Sequence, residues 1–311
     1  MLQRQAPAKL NLYLRVLGRR PDGYHELETV FERIDLSDTL TFEPAASEIT
    51  LTCSTPALSC GEDNLVLQAA RLLQEAAQTP RGARIHLTKR IPIAAGLGGG
   101  SSDAAAALVA LNQLWDLGLS LTALQPLAAR LGSDVPFFLL ESAFAVGRGR
   151  GERCEPASGR GTFAHVLVMP DVQLSTRDVY QGAHFDLTAS TPSSTMVRHA
   201  LRNGSPSELA TGLWNDLEPE AIRRCPVIST SQSCLRDLGC LGVLVSGSGP
   251  SVFGLCHDLP HAHAIAARLS ALQSEAPAPS RHARQPWRIE VVQTLHRTAA
   301  GPVPRPVRQA P

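Results

Sequence analysis

Pro92-Ile-Ala-Ala-Gly-Leu-Gly-Gly-Gly-Ser-Ser-Asp103 leads without interruption into the alanine-rich run 104–108, so a glycine loop feeds a strong helix former. Such a junction suits an anion. Glycine tolerates positive φ and close approach of the backbone to a ligand, and the first turn of a helix offers unpaired N–H groups at a partial positive charge. The rival reading is a tight connection that binds nothing. A turn needs only one or two glycines, whereas Gly98-Gly99-Gly100 places three in succession at an entropic cost on folding. A nucleotide polyphosphate fits the loop, and Ser101 and Ser102 add hydroxyls within reach of phosphate or its magnesium ion.

Better-known glycine loops fail on particular residues. A Walker loop ends in Gly-Lys-Ser/Thr, and Gly100-Ser101-Ser102-Asp103 has no lysine. A dinucleotide fingerprint starting at Gly96 and Gly98 needs Gly or Ala at 101, which is Ser, and no strand with a terminal acid follows the helix. The nucleophile elbow Gly-x-Ser-x-Gly is met by none of Ser101, Ser102 and Ser248.

At 311 residues the chain has room for two ordinary domains, or one large one, with a sizeable core. Its 43% hydrophobic content and net charge of +1 describe a globular protein with no excess charge for a nucleic acid or an anionic membrane. Residues 1–20 carry Arg4, Lys9, Arg15, Arg19 and Arg20 without a continuous apolar core. They resemble neither a signal peptide nor a membrane span, and the cytosol is the expected compartment. The seven cysteines are odd in number and never spaced Cys-x-x-Cys, which favours reduced thiols over disulfides or a cysteine-rich zinc site. The oligomeric state is left open.

Outward from the loop, residues 7–17 alternate as a strand with Lys9 and Asn11 on one face. Arg19-Arg20-Pro21-Asp22-Gly23 reads as a turn, with Tyr24-His25-Glu26 on an exposed loop after it. Strands are expected near 39–43, 48–53 and 83–91, and helices over 64–77, from about Ser102 to Leu114, and over 121–131. The second of these helices is apolar around its circumference, as in a buried helix. Glycines and arginines cluster at 147–161, where a domain boundary is expected. Beyond it the pattern is α+β: a strand at 163–169, helices near 194–202, 206–212 and 229–238, a hairpin at 241–256, a helix at 260–273 and a strand near 287–294. The Pro/Arg-rich tail from Thr298 is expected to be disordered.

Three further segments carry candidate chemistry. In Gly132-Ser133-Asp134-Val135-Pro136-Phe137-Phe138 one carboxylate stands before a rigid apolar stretch; Asp134 is either a general base or a capping aspartate. Lys9, Asn11, Tyr24 and His25 are unremarkable in isolation. Val245-Ser-Gly-Ser-Gly-Pro250 is a second glycine turn, sufficient as a structural hairpin, yet able to share a cleft with the first. Cys256-His257-Asp258 with His261 and His263 mimics a metal site, but histidines two apart do not share a helix face, and no metal ligand is assigned.

Taken in order, these segments resemble the GHMP kinases, the family of galactokinase, homoserine kinase and mevalonate kinase. Pro7-Ala-Lys-Leu-Asn-Leu12, Arg19-Arg-Pro-Asp-Gly-Tyr-His-Glu-Leu27, the loop from Pro92 and Gly132–Phe138 carry the resemblance over the first 140 residues; 167–180 and 242–254 carry it thereafter. It implies a two-domain α/β (α+β) kinase. The N-terminal domain would occupy 1–155, with a left-handed βαβ unit, and a ferredoxin-like α+β domain would occupy 156–297, followed by the tail at 298–311. It also implies ATP, Mg2+ and a small-molecule acceptor. The Lys-x-Asn strand and the Tyr-His turn are similar to the member that phosphorylates the 2-hydroxyl of a cytidine-diphosphate-linked methylerythritol in non-mevalonate isoprenoid synthesis. By that resemblance Asp134 is the base and Lys9 its partner. Pro92, Ile93, Ala94, Ala95, Gly96, Leu97, Gly98, Gly99, Gly100, Ser101 and Ser102 wrap the ATP phosphates. Asn11, Tyr24, His25, Thr176 and Tyr180 hold the acceptor, Tyr180 standing where the family commonly has Phe. Homoserine or mevalonate as acceptor, and a nucleotide-binding module without catalysis, are the alternatives.

Overall fold

Strand β1 (Leu2–Arg19) and strand β2 (His25–Ala45) make a long antiparallel hairpin, paired from Leu2 opposite Phe42 to Arg19 opposite His25. The alternation over 7–17 thus extends both ways. Only a short turn separates the strands, with Arg20 N donating to Tyr24 O. His25 and Glu26, expected on a loop, are instead the first residues of β2, because the ladder runs on to them. Register shifts interrupt β1 between Pro7 and Lys9 and between Asn11 and Tyr13. Bulges of this kind re-aim side chains, and these two flank Lys9 and Asn11.

The computed structural model describes residues 1–185, 191–275 and 287–296; the tail, and the disorder expected of it, lie outside the described residues. β3 (Ile49–Cys53), α1 (Leu65–Ala76) and β4 (Gly82–Thr88) form a βαβ unit whose strands pair in parallel. Asn64 caps α1 by accepting from Val66 N. α2 (Gly99–Leu114) starts three residues before the expected Ser102, since Gly99 and Gly100 already belong to its first turn. α3 (Leu121–Leu131) and the single turn α4 (Val135–Phe138) complete the helical layer. β5 (Phe144–Gly149) and β6 (Arg153–Ala157) form a hairpin that adds to β2.

A second sheet begins at β7 (Ala164–Met169), followed by α5 (Thr176–Gly182), α6 (Ser194–Asn203) and α7 (Pro206–Gly212). β8 (Trp214–Asn215) returns to pair in parallel with Tyr13 and Leu14 of β1. α8 (Glu218–Arg224), α9 (Val227–Asp237), β9 (Gly242–Val245), β10 (Val252–Leu255), α10 (Leu259–Glu275) and β11 (Arg288–Gln293) follow. The second sheet has the order β11-β7-β10-β9 and is antiparallel throughout, the ferredoxin-like arrangement.

Apolar burial explains how the layers hold. Leu67 and Leu73 of α1 and Leu108 and Leu111 of α2 pack on Phe42 and Leu87 of the first sheet. Leu10, Leu12, Val30 and Ile34 share a second core with Phe163, Leu167, Phe253 and Val292, so the two sheets are joined by apolar contact. Each such fully buried side chain contributes about 1.5–3 kcal/mol. Among the described residues no helix is long and apolar enough to cross a membrane. All seven cysteines are free thiols. Asp258 is a cap for α10, its Oδ1 accepting from His261 N.

Candidate active site

A cleft of about 1130 Å³ lies among the start of α2, the β1–β2 hairpin, Asp134, α5 and the loop joining β9 to β10. The two glycine loops meet at its wall. Ser246 Oγ donates to Gly96 O at 3.0 Å, and Ser251 N donates to Ala95 O at 3.3 Å. A Cβ at Gly96 would lie 2.2 Å from Ser246 O, so only glycine permits this approach. Gly98, at φ 69°, is the N-cap of α2 and has no side chain with which to cap it. Ser102 N donates to Gly98 O at 2.9 Å, which leaves the N–H groups of Gly99, Gly100 and Ser101 without acceptors inside the helix. All three residues line the cleft, and the free amides with the helix dipole make an anion site.

Lys9 and Asn11 share a face of β1, as the alternation predicts. The Lys9 side chain is 4% exposed; its Nζ donates to Asn11 Oδ1 at 2.5 Å and lies 3.6 Å from Asp134 Oδ2. Lys9 N also donates to Leu97 O at 3.0 Å, tying β1 to the first glycine loop. Asp134 occupies the N-cap position of α4, yet its side chain caps no backbone N–H. Of the two roles open to it in the sequence, capping is therefore not met, and the carboxylate faces the cleft beside Lys9. Burial pulls the Lys9 ammonium below the ordinary lysine value, and the charge of Asp134 opposes that shift in part.

The opposite end of the cleft is aromatic. His25 stacks on Tyr180 with centroids 5.4 Å apart and meets Phe185 edge-on at 5.2 Å. Tyr24 is exposed, with the Arg150 guanidinium 4.7 Å from its ring centroid. Burial, with Arg19 adding to it, lowers the His25 pKa. A neutral imidazole offers one donor and one acceptor. Burial raises the Tyr180 phenol, helped by Asp134 and Asp216, and keeps its proton in place. Thr176 Oγ1 meets Ser248 Oγ at 2.9 Å, joining α5 to the second glycine loop. Every residue expected at the site lines this cleft except Ser102, which is buried in α2 with its hydroxyl unpartnered.

The family model described as "GHMP kinases N terminal domain" matches residues 64–142, and "GHMP kinases C terminal" matches 197–274. A protein of Pelotomaculum thermopropionicum named 4-diphosphocytidyl-2-C-methyl-D-erythritol kinase is 46% identical over 264 residues, covering 85% of this chain and 92% of its own. The chain belongs to the GHMP kinase family. It is a small-molecule kinase, and ATP use comes with that membership. A crystal structure titled 4-(cytidine 5'-diphospho)-2C-methyl-D-erythritol kinase superposes with a TM-score of 0.76 at 38% identity, over 94% of this chain and 98% of that one. Homoserine kinase from Cytophaga hutchinsonii reaches a TM-score of 0.73 at 19% identity over 94% of each chain, which speaks for the shared fold alone.

Beneath its first glycine loop this GHMP kinase has a charged footing that sequence reasoning missed. Lys89 Nζ donates to Asp38 Oδ2 at 2.5 Å and to Asp103 Oδ2 at 2.9 Å, and all three side chains are buried. Asp38 Oδ1 accepts from Arg90 N and Ile91 N at 2.5 and 2.9 Å, fixing the approach to the loop. Burial acts to lower the Lys89 pKa, but the two aspartates outweigh it and hold the ammonium charged. The only local signal was Lys89 itself, standing three residues before Pro92.

Proposed function

We propose that this kinase transfers the γ-phosphoryl group of ATP to the 2-hydroxyl of 4-diphosphocytidyl-2-C-methyl-D-erythritol, giving the 2-phosphate and ADP. One observation carries the acceptor: Tyr24, His25 and Tyr180 line the same cleft as Lys9 and Asp134. Aromatic rings and an imidazole suit a pyrimidine base through stacking and edge hydrogen bonds, and the carboxylate–ammonium pair suits a hydroxyl. The names of the related proteins agree with that reading.

In this reading the free amides of Gly99, Gly100 and Ser101, with the rest of the run Pro92 to Ser102, hold the phosphates of ATP. Asp134 takes the proton from the attacking hydroxyl. Lys9, 3.6 Å from that carboxylate, keeps hydroxyl and base in line and offsets negative charge as it develops. Because the transition state of phosphoryl transfer is largely metaphosphate-like, alignment and charge stabilisation are most of the task. Asn11 and Thr176 belong to the acceptor side. Mg2+ bound with ATP supplies charge neutralisation at the phosphates. Asp103, which lines the cleft at the first turn of α2 and whose Oδ1 has no hydrogen-bond partner, fits a hard cation or its water and would hold it.

The proposal extends to organisation. Residues 1–155 act as the catalytic domain and 156–297 as the second, supported by the change of sheet between Ala157 and Ala164, although β8 crosses back to β1. Cytosolic residence is supported by the free thiols. The test is ATP consumption by the purified full chain with the cytidine-diphosphate methylerythritol, homoserine or mevalonate as acceptor. Turnover confined to the first is the expected result; efficient turnover of either other alcohol with none of the first would overturn the proposal.

A further inference from the structure

Lys9 is held by Asn11, and what holds Asn11 is a buried threonine to which no role has yet been given. Asn11 Nδ2 donates to Thr29 Oγ1 at 2.8 Å, and Thr29 Oγ1 donates in turn to Tyr13 O at 2.7 Å. Thr29 is 1% exposed and Asn11 3%, so neither group exchanges its partner for bulk water. The register shift between Asn11 and Tyr13 brings these atoms together, since it sets Thr29 opposite Leu14 and turns the Tyr13 carbonyl toward it.

The polarity of the chain is decided at its far end. A backbone carbonyl only accepts, so it takes the single hydroxyl proton of Thr29. Having spent that proton, Thr29 can only accept from Asn11. The amide must therefore present its NH2 to Thr29 and its oxygen to Lys9, where Nζ lies at 2.5 Å. An amide turned the other way would set donors against an ammonium in a desolvated site, where unpaired polar groups are costly. The second glycine loop closes over the pair: a Cβ at Gly247 would lie 3.1 Å from both Asn11 Oδ1 and Lys9 Nζ.

We propose that Thr29 is a positioning residue for phosphoryl transfer, fixing the orientation of the Asn11 amide and through it the place of the Lys9 ammonium. This rests on the proposed role of Lys9. It also gives Asn11 a task besides acceptor binding, namely to aim the lysine.

Thr29→Val keeps the β-branched shape and removes the hydroxyl; Thr29→Ser keeps the hydroxyl. The valine variant is expected to lower kcat by about 10–10²-fold, the scale of misplacing a reacting group, with the KM for ATP unchanged. The serine variant is expected to restore most of that loss. The pH profile of kcat gives an independent readout: losing an oxygen acceptor disfavours the charged lysine, so the alkaline limb moves to lower pH. A third comparison uses Asn11→Asp, because a carboxylate has no wrong way round. In that background Thr29→Val is expected to change kcat by less than about threefold, a non-additivity that general packing damage does not produce. Thermal melts of all variants check folding, and the double-mutant comparison carries the test if the valine variant melts early. Lys9→Ala is assayed alongside. If it is inactive while Thr29→Val matches the parent in rate and pH profile, the positioning role falls and the proposed role of Lys9 stands; if Lys9→Ala is fully active, both roles fall. Full additivity with Asn11→Asp, or a serine variant as slow as the valine one, also overturns the positioning role.

Discussion

The loop at 96–100 and the loop at 246–251 are alike in composition and unlike in their hydrogen bonds. Both turn on left-handed glycines, Gly96 and Gly98 at φ 77° and 69°, Gly247 and Gly249 at 57° and 77°. In the second loop several polar groups are paired within the protein. Ser246 N donates to Ser251 O and Gly249 N to Ser246 O, each at 3.0 Å, while Asn215 Nδ2 donates to Val245 O and Gly247 O at 2.9 and 2.7 Å. The first loop ends in three amides that the helix cannot satisfy. A complete backbone account asks where such groups go, and in the first loop they stand together at a helix N-terminus that lines the cleft. The second is a buttress that presses the first into place and roofs Lys9.

The largest expected effect touches neither loop. Asp134→Asn is expected to lower kcat by about 10²–10⁴, the span of a general base, while calorimetric titration with ATP shows the parent affinity. An unchanged kcat would remove Asp134 from that role. Next come two alanine substitutions that set the loops against each other. At Gly98 a Cβ would meet Lys9 Cγ at 3.0 Å and Phe138 Cζ at 3.1 Å, and the helix start must move. ATP binding is expected to weaken about tenfold or more, since one hydrogen bond to a charged group is worth about 1.5–3 kcal/mol. Gly247→Ala places its methyl 3.1 Å from Lys9 Nζ at a left-handed φ that costs about 1–2 kcal/mol. It is expected to lower kcat about tenfold, by displacing the lysine, and to leave ATP affinity alone. The reverse pattern, with Gly247→Ala losing ATP and Gly98→Ala losing only turnover, would break the distinction between ligand loop and buttress.

Local pattern made several parts of this molecule legible. Alternation placed Lys9 and Asn11 on one face, and the Asn64 cap and the apolar faces located α1 to α3 within a few residues. What escaped depended on contacts distant in sequence. The β5–β6 hairpin carries Gly147, Gly149 and Gly151, which read as breakers, yet a Cβ at Gly147 would strike the Phe31 ring at 2.7 Å. The glycine serves a neighbouring strand, not a turn. α5 and α8, seven residues each, gave little periodic signal, although the equally short α7 was expected at 206–212. At the site, the sequence could not tell a capping aspartate from a base at Asp134, and the structure removes only the first, since the side chain caps nothing. The footing under the loop was illegible because Lys89 and Asp38 lie 51 residues apart. Thr29 looked like any strand threonine.

The smallest effect tests that footing. One ammonium between two carboxylates leaves the cluster under the first loop with surplus negative charge, whereas the second loop is held by the neutral amide of Asn215. Burial pushes the Asp103 carboxyl up to about 7; Lys89 opposes the rise and the charge of Asp38 adds to it. Between the ordinary value of 3.8 and about 7 the folded protein then holds a proton that the unfolded chain has released. Stability from this group is therefore fully present below about 4 and is lost as pH rises through about 7. Asp103→Asn keeps the shape and cannot ionise. In the ligand-free protein its Tm is expected to rise relative to the parent across that window, by several degrees, since about 1 kcal/mol corresponds to roughly 2–4 °C. A constant difference from pH 4 to 8 would mean that Lys89 keeps Asp103 ionised throughout. The first loop would then rest on a footing as indifferent to pH as the Asn215 amide under the second, and the two loops would differ in the helix N-terminus that the first of them opens.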